Sequence, residues 1–146
     1  MREILFRGKL KTDNGEYKKG DWVYGDFVTL IDGKEKHLHI YGKGEVKAET
    51  VGQYTGLIDK NGTKIFEDDI VKCTDTFSDY EFIAVVMFGN PKGEYNWGFQ
   101  LNRISGANAN TDILLWVDVE ETGAFIEIIG NIHDNPELLE SEVQGE

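Results

Sequence analysis

Thr50-Val51-Gly52-Gln53-Tyr54-Thr55-Gly56-Leu57, followed by Ile58-Asp59-Lys60-Asn61-Gly62 and then Thr63-Lys64-Ile65-Phe66, is the stretch that decides the fold class. Its β-branched and aromatic residues form a run too short for a helix. The run stops at an Asn-Gly pair, which accepts the positive φ of a tight turn. Strand, turn, strand is the direct reading. The same grammar recurs outward in both directions. Toward the C-terminus it gives Asp69–Thr74, Glu81–Phe88, Gly98–Asn102, Ile113–Val119 and Ala124–Gly130; toward the N-terminus it gives Lys36–Tyr41, Asp21–Ile31 and Ile4–Arg7. Asp13-Asn14-Gly15, Asp32-Gly33 and Glu121-Thr122-Gly123 supply further turns. The pattern changes at Asn135-Pro136-Glu137, where an N-cap, a first-turn proline and an acid predict a short helix. Leu138, Leu139 and Val143 are expected to pack it back on the sheet.

The expectation is an all-β protein of small antiparallel barrels with a short C-terminal helix. Residues 1–68 are read as an N-terminal hairpin or barrel region. Residues 69–146 offer five short strands and a long loop, which suits an SH3-like barrel carrying the helix. The two regions can also form one compact unit. Asn14-Gly15 before Gly20-Asp21-Trp22-Val23 echoes Asn61-Gly62 before Asp68-Asp69-Ile70-Val71, but turn chemistry this common is read as coincidence rather than duplication.

Composition narrows the setting. The chain has 146 residues, 40% of them hydrophobic and 12% aromatic, enough for a core without staples. Cys73 is the single cysteine, so an intramolecular disulfide is impossible and a reducing cytoplasm is expected. Met1-Arg2-Glu3-Ile4-Leu5-Phe6-Arg7 is too charged for a signal peptide, and no run approaches the roughly 18 apolar residues of a membrane helix. Charge is one-sided. Residues 1–74 hold 13 Lys/Arg and 13 Asp/Glu, whereas residues 75–146 hold only Lys92 and Arg103 against 14 acids, the whole net charge of −12. Such a chain gains nothing from releasing phosphate counterions, so nucleic acid is excluded as a partner. The lysines of the first half are read as solvated hairpin faces.

No constellation carries catalysis. Glu67-Asp68-Asp69 is the densest acidic cluster, but neighbours on a strand point to opposite faces and calcium-loop spacing is lacking. His37 and His39 share a strand face that zinc could use, yet a third ligand is missing nearby. Cys73 lies in a strand with no nucleophile signature, and Ser78, Ser105 and Ser141 lack the Gly-x-Ser-x-Gly elbow. Gly42-Lys43-Gly44 lacks the remainder of a phosphate loop. No metal and no cofactor is expected. The aromatics Trp22, Tyr24, Trp97 and Phe99 serve either a β core or a protein-binding face.

One resemblance spans nearly the whole chain. Glu49-Thr50-Val51-Gly52-Gln53-Tyr54-Thr55-Gly56-Leu57-Ile58-Asp59-Lys60-Asn61-Gly62, continued by Ile65-Phe66-Glu67-Asp68-Asp69-Ile70-Val71, resembles the YopX family. The opening Met1-Arg2-Glu3-Ile4 through Phe6-Arg7-Gly8, then Trp22-Val23-Tyr24-Gly25-Asp26, agrees, as does Ile128-Ile129-Gly130-Asn131-Ile132-His133-Asp134-Asn135-Pro136-Glu137-Leu138 near the end. Asp68 departs from the pattern, standing where the family usually reads glycine; aspartate tolerates a left-handed turn at modest cost. The resemblance implies an all-β protein of phages and prophages of Gram-positive bacteria, acting in the host cytoplasm, with no catalytic residue to carry over. The expected role is a non-enzymatic accessory protein that binds another protein, of host or phage, or its own copies. Its expected surface is Trp97, Phe99, Trp116, Asp112, Asp118, Glu120 and Glu121. One alternative is an acidic DNA mimic that inhibits a host nucleic-acid-binding protein; a metal-dependent enzyme is the other.

Overall fold

The computed structural model describes residues 3–89, 98–104, 110–116 and 123–139. Among them strands dominate, in antiparallel sheets, and the all-β expectation holds. The chain divides into two compact units, 1–56 and 57–146. The Asp59–Phe66 hairpin therefore counts with the second unit.

In the first unit, β1 (Phe6–Lys9) pairs with β2 (Trp22–Gly25) and with the start of β6 (Gly52–Ile58). A separate three-stranded sheet consists of β3 (Phe27–Asp32), β4 (Glu35–Ile40) and β5 (Gly44–Glu45), in that order. The single strand read over Asp21–Ile31 is thus two strands in two sheets, parted at Gly25-Asp26. A Cβ at Gly25 would lie 3.1 Å from Ile40 Cγ2, so a side chain there would press on the buried Ile40. Leu10, Val23, Ile40 and Val46 form that core, with Phe6, Tyr17, Leu38 and Val51 against it. Gly8 is demanded by the same packing, because a Cβ would stand 2.9 Å from that of Val46. The run read as a strand from Thr50 starts instead with a 3-10 turn, Ala48–Thr50. The Thr50 hydroxyl donates to the Lys47 carbonyl at 2.6 Å and accepts the Lys9 N–H at 2.9 Å.

In the second unit, β7 (Lys64–Phe66) follows the hairpin turn, which closes as Asp59 N–H donates to the Thr63 carbonyl at 2.8 Å. Next come β8 (Asp69–Asp75), β9 (Tyr80–Phe88), β10 (Phe99–Arg103), β11 (Asn110–Asp112) and β12 (Ala124–Asn131). The sheet order is β11-β10-β9-β8-β12, all antiparallel, with a bulge between Ile128 and Gly130. Alternate residues of β8 and β9, Val71, Cys73, Phe82, Ala84 and Val86, face one core with Ile65, Leu101, Ile113 and Ile126. Burying each aliphatic side chain contributes about 1.5–3 kcal/mol.

One sequence reading shifts here. The strand expected over Ile113–Val119 lies earlier, at Asn110–Asp112, and Ile113–Leu115 forms a 3-10 turn. The Asp112 carboxylate explains the change: it accepts the Leu114 N–H at 3.0 Å, an N-cap that ends the ladder. Residues 117–119 are outside the described part. A helical turn does start at 137–139. Asn135 ties this turn to the strand before it. Its Oδ1 turns back to accept the Asn131 N–H at 3.2 Å, while its carbonyl accepts from Leu138 N–H at 3.1 Å. Gly130 makes this possible, since a Cβ there would meet Asn135 Oδ1 at 2.6 Å. Among the described residues no helix is long and apolar enough to cross a membrane.

Candidate functional site

Of the seven residues expected to form a surface, Trp97, Asp118, Glu120 and Glu121 lie outside the described residues. The other three serve the fold of the second unit. Phe99 meets Phe88 at 4.9 Å between ring centroids, and Trp116 stands edge-on to Phe82 at 4.9 Å. Both are half-buried against the core, and Asp112 is the cap described above.

The acids of this unit follow the same logic. Asp59 is 6% exposed, and its carboxylate accepts the N–H groups of Asn61, Thr63 and Ile128 at 2.9, 2.9 and 3.1 Å. Asp69, 2% exposed, accepts the Phe66 N–H at 2.8 Å. Asp75 accepts from Phe77 N–H, and Glu81 and Glu127 pair with Lys72 and Lys60 at 3.5 Å each. Asp68 sits at φ 72°, the left-handed turn its sequence position suggested, and its Oδ2 lies 3.0 Å from His133 Nε2. Glu67-Asp68-Asp69 is therefore a turn into β8, with the Asp68 and Asp69 carboxylates directed to different partners. Among the described residues no three His, Cys, Asp or Glu side chains gather as a metal site. Cys73 is fully buried, and desolvation pushes its thiol up to about 12, partly opposed by the Arg103 charge. At neutral pH it stays protonated, which makes it a poor nucleophile.

The first unit presents a different chemistry. His37 Nδ1 lies 3.0 Å from Glu45 Oε2, which also accepts from Lys11 Nζ at 3.2 Å; Glu35 lies 3.5 Å from His37 Nε2. The Glu45 hydrogen bond raises the His37 pKa and is the main cause of the lowered pKa of Glu45. Beside this cluster an open groove of about 480 Å³ is lined by Val28, Leu30, His39, Ile40 and Tyr41, with Lys43 and Glu16 at its polar side. Lys43, the lysine of the Gly-Lys-Gly turn, lies over the Tyr17 ring at 5.1 Å and donates to its hydroxyl at 3.2 Å. Trp22 carries Arg7 at 4.5 Å and Lys9 at 5.4 Å over its ring.

The groove borders an edge strand. Among the described residues β3 pairs with β4 alone, Phe27 opposite Ile40 through Asp32 opposite Glu35, with no bulge. The phase of the ladder follows from two hydrogen bonds. Tyr41 N–H donates to the Asp26 carbonyl at 2.8 Å, and on the other side of β4 Val46 N–H donates to the Leu38 carbonyl at 2.8 Å. Because antiparallel strands alternate, Val28 and Leu30 direct their main chain to β4, and Phe27, Thr29 and Ile31 direct theirs outward. Leu30 is 49% and Ile31 70% exposed. Phe27–Ile31 carries no charge and no proline, the devices that ordinarily blunt an edge. Reading Asp21–Ile31 as one strand hid this edge. The available signal for the break between the two strands was the charge of Asp26 directly after a glycine.

Comparison with known proteins places this arrangement in a family. No curated protein matches the chain. A crystal structure titled protein EF1440 from Enterococcus faecalis is similar at 20% identity and a TM-score of 0.42, covering 95% of this chain and 99% of that one. The family model for the YopX protein matches residues 6–140, from β1 past the start of the terminal helix. The chain belongs to the YopX family.

Proposed function

We propose that this protein is a non-enzymatic accessory protein, phage-encoded and acting in the cytoplasm of a bacterial host, that works by binding another polypeptide. The observation that carries the reading is the edge of β3. It offers outward N–H and C=O groups on Phe27, Thr29 and Ile31, half-exposed Leu30, and an apolar groove alongside. An extended polypeptide added to such an edge gains main-chain hydrogen bonds, and a groove for alternate side chains selects among them. This reading sets the interaction surface on β3 rather than at Phe99, Trp116 and Asp112, whose contacts support the second unit's core and turn.

The DNA-mimic reading requires a continuous acidic face. It is the weaker one, since within residues 75–146 Asp75 and Asp112 direct carboxylate oxygens to backbone N–H groups and Glu81 and Glu127 to lysines. The test is quantitative binding of the wild-type protein and of Leu30→Lys to polypeptides recovered with it from its host. Wild-type binding that Leu30→Lys loses supports the reading. Equal binding by both, or capture through the second unit alone, refutes the assignment to β3.

A further inference from the structure

Resting on that reading, we infer that the β3 edge pairs with the β3 edge of a second copy of this chain, antiparallel about a two-fold axis at Leu30.

Charge is the first argument. Residues 1–56 hold ten Lys/Arg and nine Asp/Glu, while residues 57–146 hold five against 18. Two copies meeting through their second units would bring strongly negative surfaces together. Meeting through β3 joins the nearly neutral parts, and like-charge repulsion is kept low.

Register is the second argument. Only Phe27, Thr29 and Ile31 have outward main-chain groups, so a symmetric pair must oppose outward residues with outward residues. A two-fold at Thr29 satisfies this but sets Asp26 opposite Asp32 of the copy, two like charges. A two-fold at Leu30 also satisfies it. Thr29 then exchanges hydrogen bonds with Ile31 of the copy, the two Leu30 side chains meet on the groove face, and Asp26 lies opposite Lys34. Asp26 and Lys34 are both exposed, and the symmetry makes their pairing occur twice. Val28 faces Asp32, which leaves no like charges directly opposed. The interface is isologous and closes at two copies, because each chain contributes the same edge. It also covers an edge that otherwise invites uncontrolled aggregation.

Sedimentation of the full chain over a range of concentrations, combined with cysteine cross-linking, tests this. Leu30 and its mate form a non-hydrogen-bonded pair, with Cα atoms about 4.5 Å apart, inside disulfide range. Thr29 and its mate are offset by two residues, beyond that range. Wild type is expected to dimerise reversibly, and Leu30→Lys, which changes a half-exposed side chain, to stay monomeric with an unchanged far-UV spectrum. Leu30→Cys should cross-link under mild oxidation, and Thr29→Cys should not; Cys73, fully buried, does not compete. A wild type monomeric at every concentration overturns the inference, as does a dimer that Leu30→Lys leaves intact or cross-linking equally efficient at both positions. A monomer that binds another protein's extended segment at β3, and loses it in Leu30→Lys, overturns self-pairing alone. A monomer that binds no polypeptide overturns the reading beneath it as well.

Discussion

The two units place their turn-holding carboxylates at different depths. In the second, carboxylates turn inward to the backbone: Asp59 gathers three N–H groups, Asp69 and Asp112 hold turns, and Asp68 holds His133. In the first, the carboxylates that hold turns, Asp13 and Asp21, are exposed, the Lys11–Glu45–His37 cluster lies at the surface, and an uncharged strand edge is left open. The contrast shows that net charge misleads as a guide to partners. The acidic half looked like the surface to test, yet among its described acids Asp75 and Asp112 hold turns and Glu81 and Glu127 pair with lysines.

The largest effect expected from this contrast lies in core substitutions. Ile126, 2% exposed beside Cys73 and Val71, should cost about 2–5 kcal/mol on replacement by alanine. Ile31, on the open edge, should cost within about 0.5 kcal/mol. Chemical denaturation of both variants measures the difference; equal losses would mean that the edge is already covered. Next comes Asp59→Ala, which orphans three donors in a buried turn. It should lose about 3 kcal/mol and release the attachment between Asp59 and Ile128 in β12, seen as faster exchange of the Ile128 amide. Replacing exposed Asp79, at φ 55°, by asparagine, which tolerates that backbone, should leave stability unchanged.

Smaller, but sign-specific, is the pH response of the first unit. The folded pKa of His37 is raised above 6.5, so its contribution is complete below that value and is lost as pH rises through the folded pKa. The folded pKa of Glu45 is lowered from 4.5, so its contribution is present above that value and is lost as pH falls through the lowered one. The cluster therefore works best between these limits. An NMR titration should put the His37 midpoint above 6.5, and Glu45→Gln should bring it down. A midpoint indifferent to Glu45→Gln would mean that the pair is not formed. The smallest effect belongs to Asp68→Gly. Relief of the positive φ, worth about 1 kcal/mol, offsets the lost contact with His133, and denaturation should find a net change under about 1 kcal/mol.

What the sequence disclosed and what it concealed have physical reasons. Strands such as Glu81–Phe88 were legible because alternation and β-branching act locally, and the turn at Asp68 because left-handed tolerance is a property of the residue itself. The 3-10 turn at Ile113–Leu115 was not, since its apolar run reads as a strand until Asp112 is known to cap it. The bond from Asn131 N–H to the Asn135 side chain was equally hidden, because it depends on Gly130 having no Cβ in the way. The edge of β3 was hidden for a similar reason. Whether a strand has one neighbour or two depends on long-range pairing, and nothing within Phe27–Asp32 records it.

Amide hydrogen exchange along β3 tests the central claim most directly, because it reads the outward N–H groups themselves. In dilute protein Val28 and Leu30 should be protected, and Thr29 and Ile31 should exchange freely. Raising the concentration should bring Thr29 and Ile31 to the protection of their neighbours. Protection of Thr29 and Ile31 in the dilute protein, or free exchange at every concentration and with every polypeptide partner, would contradict the account.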